Sequence, residues 1–547
     1  DRITQILKRW QYLQGEKSSW LQHWEDLARV LQPRRVGFTS TITEGERRSD
    51  DIYDGTPMQA ARGLANSIGG FMRPHGSPDI KIVADDDALN NLGENQEWLA
   101  DSREKQISAF NNPRARYRQT SSEFDNDLVI FGTAIEFLGE SQQRNNLLFQ
   151  SLHLKDATPI FGEDGMMEGM FHHRLWTVRQ LAERFGEDNL SESTRKALQE
   201  DARDKKIAVL HCVLPRKEYK PGSFLAKNLP IADIWIEIEA KHEFSVSGFH
   251  EFPFIGARWD TASGEDYGRS PGMIALPDAD TLQAMGETIL IAGQRAADPP
   301  LAVPNDGTFD AVNTFPGGLS YYDIETATAL RGRSPFFPIE SGTNLPIARD
   351  MQMDTRAQIW AAFFRNIMNL PVEGPKMTAT EIIARKDEFM RETGSMFGRY
   401  ETEKTAPETE RGFMIMLRAG AFLPIPKSLQ GKNIHFEYES PIKRVHKQIE
   451  AAAAKAWAEE MLVLGQVKPE AIDLINVDEL GRFGAEALGV PKKIVNSAEK
   501  VAETRAARAQ AQAEQNQMAA LSQVAEIAKT GAAADASMAK AGMQGVE

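Results

Sequence analysis

The 547-residue chain is 41% hydrophobic and 26% charged, the balance of a globular protein of about two to four domains rather than of a collagen, a disordered tail or a membrane protein. Its net charge of −15 has the wrong sign for gripping nucleic acid by phosphate neutralisation; it does not exclude a protein past which DNA slides, and simple solubility is its commoner reason. The lone Cys212 rules out an intrachain disulfide and a multi-cysteine zinc site, and fits a reducing cytoplasm. The sequence opens on Asp1 rather than Met, which points to a trimmed start, and that start lacks the apolar core of a signal peptide. No run approaches the ~20 apolar residues of a membrane helix.

Trp10, Leu13, Trp20, Trp24, Leu27 and Leu31 recur near helical spacing as far as Pro33, which predicts helix and puts the indoles in a core rather than on a nucleic-acid stacking platform. A polar loop over 34–50 and the turn Tyr53-Asp54-Gly55 lead into a second helix. Its N-cap is Thr56, its first residue Pro57, its stripe Ala60, Ala61, Leu64, Ala65 and Ile68, and its end Gly69-Gly70. Helices are expected at 98–110 and 124–131, strand-like sequence over 134–171, and helix again over 175–198. Residues 206–214, 234–239 and 254–259 read as strands, so this half is α+β without a regular βαβ alternation.

Pro277 begins a helix to residue 297, with Leu282, Met285, Ile289, Ala292 and Ala296 on one stripe. A second helix is expected over 347–370, with Ile359, Phe363, Ile367 and Leu370 on its stripe. Between them, 298–345 is rich in Pro, Gly and aromatics, without helical period. A short break at 371–376 precedes a long polar helix over 378–403. From His446 onward the chain is rich in Ala, Glu, Gln and Lys: strong helix formers with little to bury, either bathed in solvent or packed against copies of themselves.

Catalytic patterns are few. Gly268-Arg269-Ser270-Pro271-Gly272 matches G-x-S-x-G, but a nucleophile elbow needs an N–H on the residue after the serine, and Pro271 has none; a tight turn is the better reading. Asp233 with Glu239-Ala240-Lys241 suggests a magnesium nuclease, although a six-residue gap is short for two sites on separate strands. Asp85-Asp86-Asp87 reads as a solvated acidic loop, and His172-His173, His242 and His250 lack metal-ligand spacing. There is no P-loop, dinucleotide fingerprint, zinc finger or helix-turn-helix.

Several stretches, in order, resemble the head-to-tail connector family, the portal proteins of short-tailed phages. They are Trp20-Leu-Gln-His-Trp24 through Gln32-Pro33, Ile52-Tyr-Asp-Gly-Thr56 with the helix closing at Phe71-Met-Arg-Pro74, Gly264 to Gly272 with Ala275-Leu-Pro277, Ala297-Asp-Pro-Pro300, Met377-Thr-Ala-Thr-Glu-Ile382 with Arg385 and Glu388, and Tyr438-Glu-Ser-Pro-Ile442. The resemblance spans roughly residues 10–445.

It implies an α+β portal fold without cofactor: a mixed α/β wing (1–276 and 378–445), a two-helix stem (277–297 and 346–370), a small β-containing clip (298–345), a tunnel loop (371–377) and a helical crown or barrel (446–547). Leu282, Met285, Ile289, Ile359, Phe363 and Ile367 would pack the stem, whose stripes, lacking an intrachain partner of similar length, would face neighbouring subunits. Glu373, Gly374, Pro375, Lys376 and Met377 would line the channel, Lys376 touching passing phosphate and Glu373 keeping retention weak. In the clip, six acidic residues stand against Arg331 and Arg333, and Phe309, Phe315, Tyr321, Tyr322, Phe336 and Phe337 are candidate partner contacts, with a clip core as their alternative use. The implied partners are further copies of the chain in a dodecameric ring, a tail adaptor and the terminase ATPase at the clip, capsid and scaffolding proteins at the wing, and duplex DNA in passage, with no membrane. The implied location is the capsid vertex of a virion assembled in the host cytoplasm. Other phage structural proteins, such as an adaptor or an internal virion protein, remain the alternative, followed by the two enzyme readings.

Overall fold

The computed structural model describes residues 2–298 (except 42, 44, 75, 79, 91, 142–145 and 224), 301–302, 337–338, 345–365, 379–438 and 441–518 (except 469, 471–473, 489, 491–493 and 497–499). Residues 1–90 with 97–440 make one unit, and 91–96 with 441–547 the other.

The opening helix is two, α1 (Arg2–Glu16) and α2 (Ser18–Leu31), meeting at the buried Lys17. The Lys17 ammonium donates to the carbonyls of Leu154, Lys155 and Ala157, so three acceptors match its three donors. Trp24 is core, as its spacing predicts: its indole N–H donates to the Phe131 carbonyl (3.2 Å) and its ring meets Tyr267 edge-on. α3 (Thr56–Met72) departs from expectation at both ends. Gly55 is the N-cap and the Thr56 N–H is taken by the Asp54 carboxylate (2.8 Å). Gly69 and Gly70 do not end the helix; a Cβ at Gly69 would crowd Arg73 and Asp125, so the missing side chain makes room for that ion pair.

After α4 (Asp87–Asn90), α5 (Gly93–Asn111) and α6 (Tyr117–Phe131) come two antiparallel sheets. The smaller has the order β3 (Asn146–Leu152), β2 (Thr133–Ser141), β9 (Phe254–Arg258). The larger is a meander of β4 (Ala157–Phe161), β5 (Met167–Thr177), β6 (Lys206–Pro215), β7 (Ile231–Glu237) and β8 (His242–Phe249). Alternation along its strands serves two cores. Phe171, Leu210, Cys212 and Ile234 pack against Ile6 and Leu7 of α1 on one face. Val209, Trp235 and Phe244 pack on the other against α7 (Val178–Phe185) and α8 (Glu192–Gln199). The helix expected over 175–198 is therefore the end of a strand plus two short helices, and Thr177 makes the switch by forming a capping box with Gln180.

α9 (Pro271–Ala297) and α10 (Leu345–Ala362) follow, and between them β10 (Leu301–Ala302) pairs antiparallel with β11 (Phe337–Pro338). α11 (Ala379–Tyr400) runs through a π turn, Glu401–Thr405, into α12 (Ala406–Arg418). β1 (Ile80–Ala84) pairs antiparallel with β12 (Ile434–Tyr438). The other unit contains α13 (Pro441–Val467), α14 (Val477–Ala487) and α15 (500–518). The fold is α+β, as expected.

Candidate functional site

α9 starts six residues earlier than Pro277. Ser270 is its N-cap, accepting from the Met273 N–H (3.1 Å) with Pro271 in the first turn, while Pro277 is carried inside the helix. The Ser270 hydroxyl donates to the Ile130 carbonyl (2.7 Å) and is buried. Both its functions are thus committed to holding the helix on the body, and the hydroxyl is not available as a nucleophile. Gly132, at φ +76°, ends α6 under this same turn; a Cβ there would sit 2.3 Å from the Gly268 carbonyl oxygen, so only glycine fits.

α9 and α10 pack against each other within one chain, contrary to the expectation that neither stripe has an intrachain partner. The turn at Tyr53-Asp54 clamps the pair. Gln283 accepts from the backbone N–H groups of Tyr53 and Asp54 (2.8 and 2.9 Å) and donates to the Asp54 carbonyl (2.8 Å). Arg356 of α10 donates to the Asp54 carboxylate (2.9 Å). Burial alone would raise the Asp54 carboxyl, yet hydrogen bonds from Thr56 and the Arg356 charge hold it below its ordinary value. Of the expected packing residues, Leu282, Ile359 and Phe363 are buried and Met285 and Ile289 half-buried. Leu290 and Ile291 near the end of α9, with Ile347, Met351 and Met353 near the start of α10, are exposed in the single chain.

Behind the pair, the π turn aims Glu403 and Lys404 inward together. Lys404 is fully buried and donates to Glu408 (2.7 Å) and Glu136 (3.1 Å). Tyr117 donates to Glu408 (2.7 Å), Tyr400 to Asp125 (2.8 Å), and Arg73 pairs with Asp125. Glu403 pairs with Arg258 (2.7 Å). In the inner cluster two cations face three carboxylates, and burial, with the Glu408 charge, pushes the Glu136 carboxyl up to about 8 against the pull of Lys404. Nothing in the sequence pattern pointed to this network, because its members lie on five separated segments.

The nuclease constellation does not assemble. Asp233 is buried and bonded to His211 (2.8 Å), whereas Glu239 is exposed in the turn after β7, with Lys241 at φ +50°. Burial holds His172 and His211 below the usual imidazole range. Among the described residues no cluster of His, Cys, Asp and Glu could hold a metal, and no helix is long and apolar enough to cross a membrane. Ile367, the tunnel-loop residues Glu373, Gly374, Pro375, Lys376 and Met377, and Phe309, Phe315, Tyr321, Tyr322, Arg331, Arg333 and Phe336 lie outside the described residues; Phe337 lies on the short strand before α10.

The family described as bacteriophage head to tail connecting protein matches residues 3–495. The chain is 26% identical over 530 residues to the probable portal protein of Bordetella phage BPP-1, covering 96% of this chain and 94% of that one. It is 27% identical over 519 residues to the portal protein of Salmonella phage epsilon15, covering 93% and 92%. A chain in the solved virion of a native gene transfer agent particle aligns at a TM-score of 0.37 and 11% identity, covering 77% of this chain and 94% of that one.

Proposed function

The chain belongs to the bacteriophage head to tail connecting protein family, and on that premise we propose that it is the portal subunit of a short-tailed phage, twelve copies closing into a ring at one capsid vertex. The carrying observation is the helix pair α9–α10. It is fixed to the body through Asp54 and presents Leu290, Ile291, Ile347, Met351 and Met353 uncovered at the end where residues 298–345 are inserted. An apolar patch repeated on identical subunits is buried for every copy when a heterologous contact closes into a ring.

In this reading α9 and α10 form the stem, 298–345 the clip that docks the packaging ATPase and later the tail adaptor, and 371–377 the loop nearest the DNA. The wing meets capsid and scaffolding proteins, and the last hundred residues form a helical crown. Work on DNA is mechanical and the chemistry belongs to the docked ATPase, in keeping with a Ser270 spent on a helix cap. The acidic balance keeps DNA from sticking in transit.

Negative-stain electron microscopy with native mass of the purified chain tests this. Dodecameric rings with a hole wide enough for duplex DNA are expected, and Met351→Asp should abolish them while leaving the folded monomer. A chain that stays monomeric or dimeric at high concentration overturns the reading. Lys376→Ala should assemble normally and alter only DNA passage; loss of rings would remove Lys376 from the channel.

A further inference from the structure

On the sheet face covered by α7, the fold sets two arginines on one indole. The Arg174 guanidinium carbon lies 4.9 Å from the centre of the Trp176 ring, and that of Arg184 lies 5.3 Å from Trp176 and 4.7 Å from Trp235. The two indoles are 5.0 Å apart, Phe185 stacks on Trp176, and His211 lies flat on Trp235 at 3.9 Å. The cage follows from strand pairing: Arg174 and Trp176 share one face of β5, Trp235 shares it from β7, and the last turn of α7 brings Arg184 over both rings.

Arg184 is exposed and Arg174 half-buried, so both stacked guanidinium groups can be reached from solvent. Among the described residues neither has a hydrogen-bond acceptor or an ion-pair partner within contact. The two nearby carboxylates are engaged elsewhere, Asp156 with His173 (3.4 Å) and Asp233 with His211 (2.8 Å). Burial and the neighbouring Arg184 charge pull Arg174 down to about 10, against the opposing pull of Asp156. A guanidinium stacked on an aromatic has its faces occupied and its N–H edge free. Such an edge matches the two oxygens of a carboxylate, and the stack has already fixed the side chain, so little rotamer freedom is lost on binding.

We propose that Arg174 and Arg184 form a docking site for a carboxylate carried by a short acidic segment of a partner protein. A protein carboxylate fits better than nucleic acid. The cations are two and clustered rather than spaced along a track, and Glu183, Glu187 and Asp188 exposed beside Arg184 within a chain of net charge −15 repel a long polyanion more than a short segment of few charges.

The test uses the full-length chain and a fluorescein-labelled tetraglutamate peptide, read by anisotropy at low salt. Saturable binding is expected, weakened about tenfold or more by Arg184→Gln and by Arg174→Gln, the scale of one charge-assisted bidentate contact. Arg184→Lys, which keeps the charge and loses the planar fork, should recover only part of it, and Lys196→Gln on α8 should leave it unchanged. Unfolding midpoints report whether each variant is folded; Arg184 is exposed enough that its replacement decides the matter if Arg174→Gln does not fold. No saturable binding by the parent chain, equal binding by Arg184→Gln, or displacement of the peptide by a DNA duplex acting through Arg184 overturns the proposal.

Discussion

The two units treat their apolar side chains in opposite ways. The first buries Trp24, Phe124, Phe149, Phe171 and Phe413 completely and carries charged side chains into the interior with them. In the second, Ile449, Trp457, Leu462, Val463, Leu464, Leu474, Val477 and Leu488 are exposed, and Ala458 and Ala487 are its buried apolar residues among those described. One stretch of chain specifies its own core; the other specifies helices, through Ala- and Glu-rich propensity, and leaves their apolar residues to be covered by something else. In the ring proposed above, that cover is further copies of the chain.

The sharpest way to break the first side of this contrast is Lys404→Met. It leaves Glu136 and Glu408 buried without their cation, a loss of about 3–5 kcal/mol. Urea unfolding should show the first unit's transition moved to far lower denaturant, while helical signal from the second unit stays in place. A change smaller than about 1 kcal/mol would mean that water reaches this network.

The same cluster sets a pH dependence. With the Glu136 carboxyl raised to about 8 from an ordinary 4.5, folded chains hold a proton that unfolded chains have lost between those values. Stability therefore falls as pH rises through that window, at a slope of at most about 1.4 kcal/mol per pH unit, and levels off above it. Glu136→Gln should flatten that slope in unfolding series at pH 5, 6, 7 and 8. A slope unchanged in the variant would assign it to another group.

Much of the first unit is legible in its sequence because period and caps are local. The Trp24–Leu27–Leu31 spacing, the β-branched run of β6 and the alternation of β7 each declare their element within a few residues. Boundaries were less legible where two local signals compete. Pro277 looks like a helix start because proline favours the first turn, yet Ser270-Pro271 supplies a cap and a first-turn proline six residues earlier, and Pro277 is carried inside the helix. Gly69-Gly70 looks like a stop, but the requirement it meets is tertiary, room for Arg73 and Asp125. β8 is weakly patterned because Phe244 and Val246, two residues apart, serve opposite faces of the sheet across the register shift opposite Trp235 and Ile236. The Lys404 network and the Arg174–Arg184 cage were invisible for a stronger reason: charged residues distant in sequence carry no period, and only the fold brings them together.

A smaller effect sharpens the view of Ser270 as structure rather than chemistry. Ser270→Ala removes the cap on α9 and leaves the Ile130 carbonyl without its donor, for about 1–2 kcal/mol of stability. Thermal unfolding should register that loss while rings still form. Ring formation that collapses together with a fully folded monomer would mean that the entry angle of α9, set at this cap, governs assembly directly.

The smallest effect on the folded chain belongs to the second unit. Trp457 is 44% exposed on α13, so Trp457→Ser removes little that the single chain buries and should change monomer stability by no more than about 0.5 kcal/mol. An indole of that size, set among Leu462, Val463 and Leu464 on the same helix, is the kind of anchor that dominates a contact between chains. The variant should therefore shift native mass from rings toward smaller species at low protein concentration, although its melting curve overlays that of the parent chain. If the rings persist unchanged at every concentration, the exposed residues of α13 are not assembly contacts, and the work of closing the ring falls to the α9–α10 pair alone.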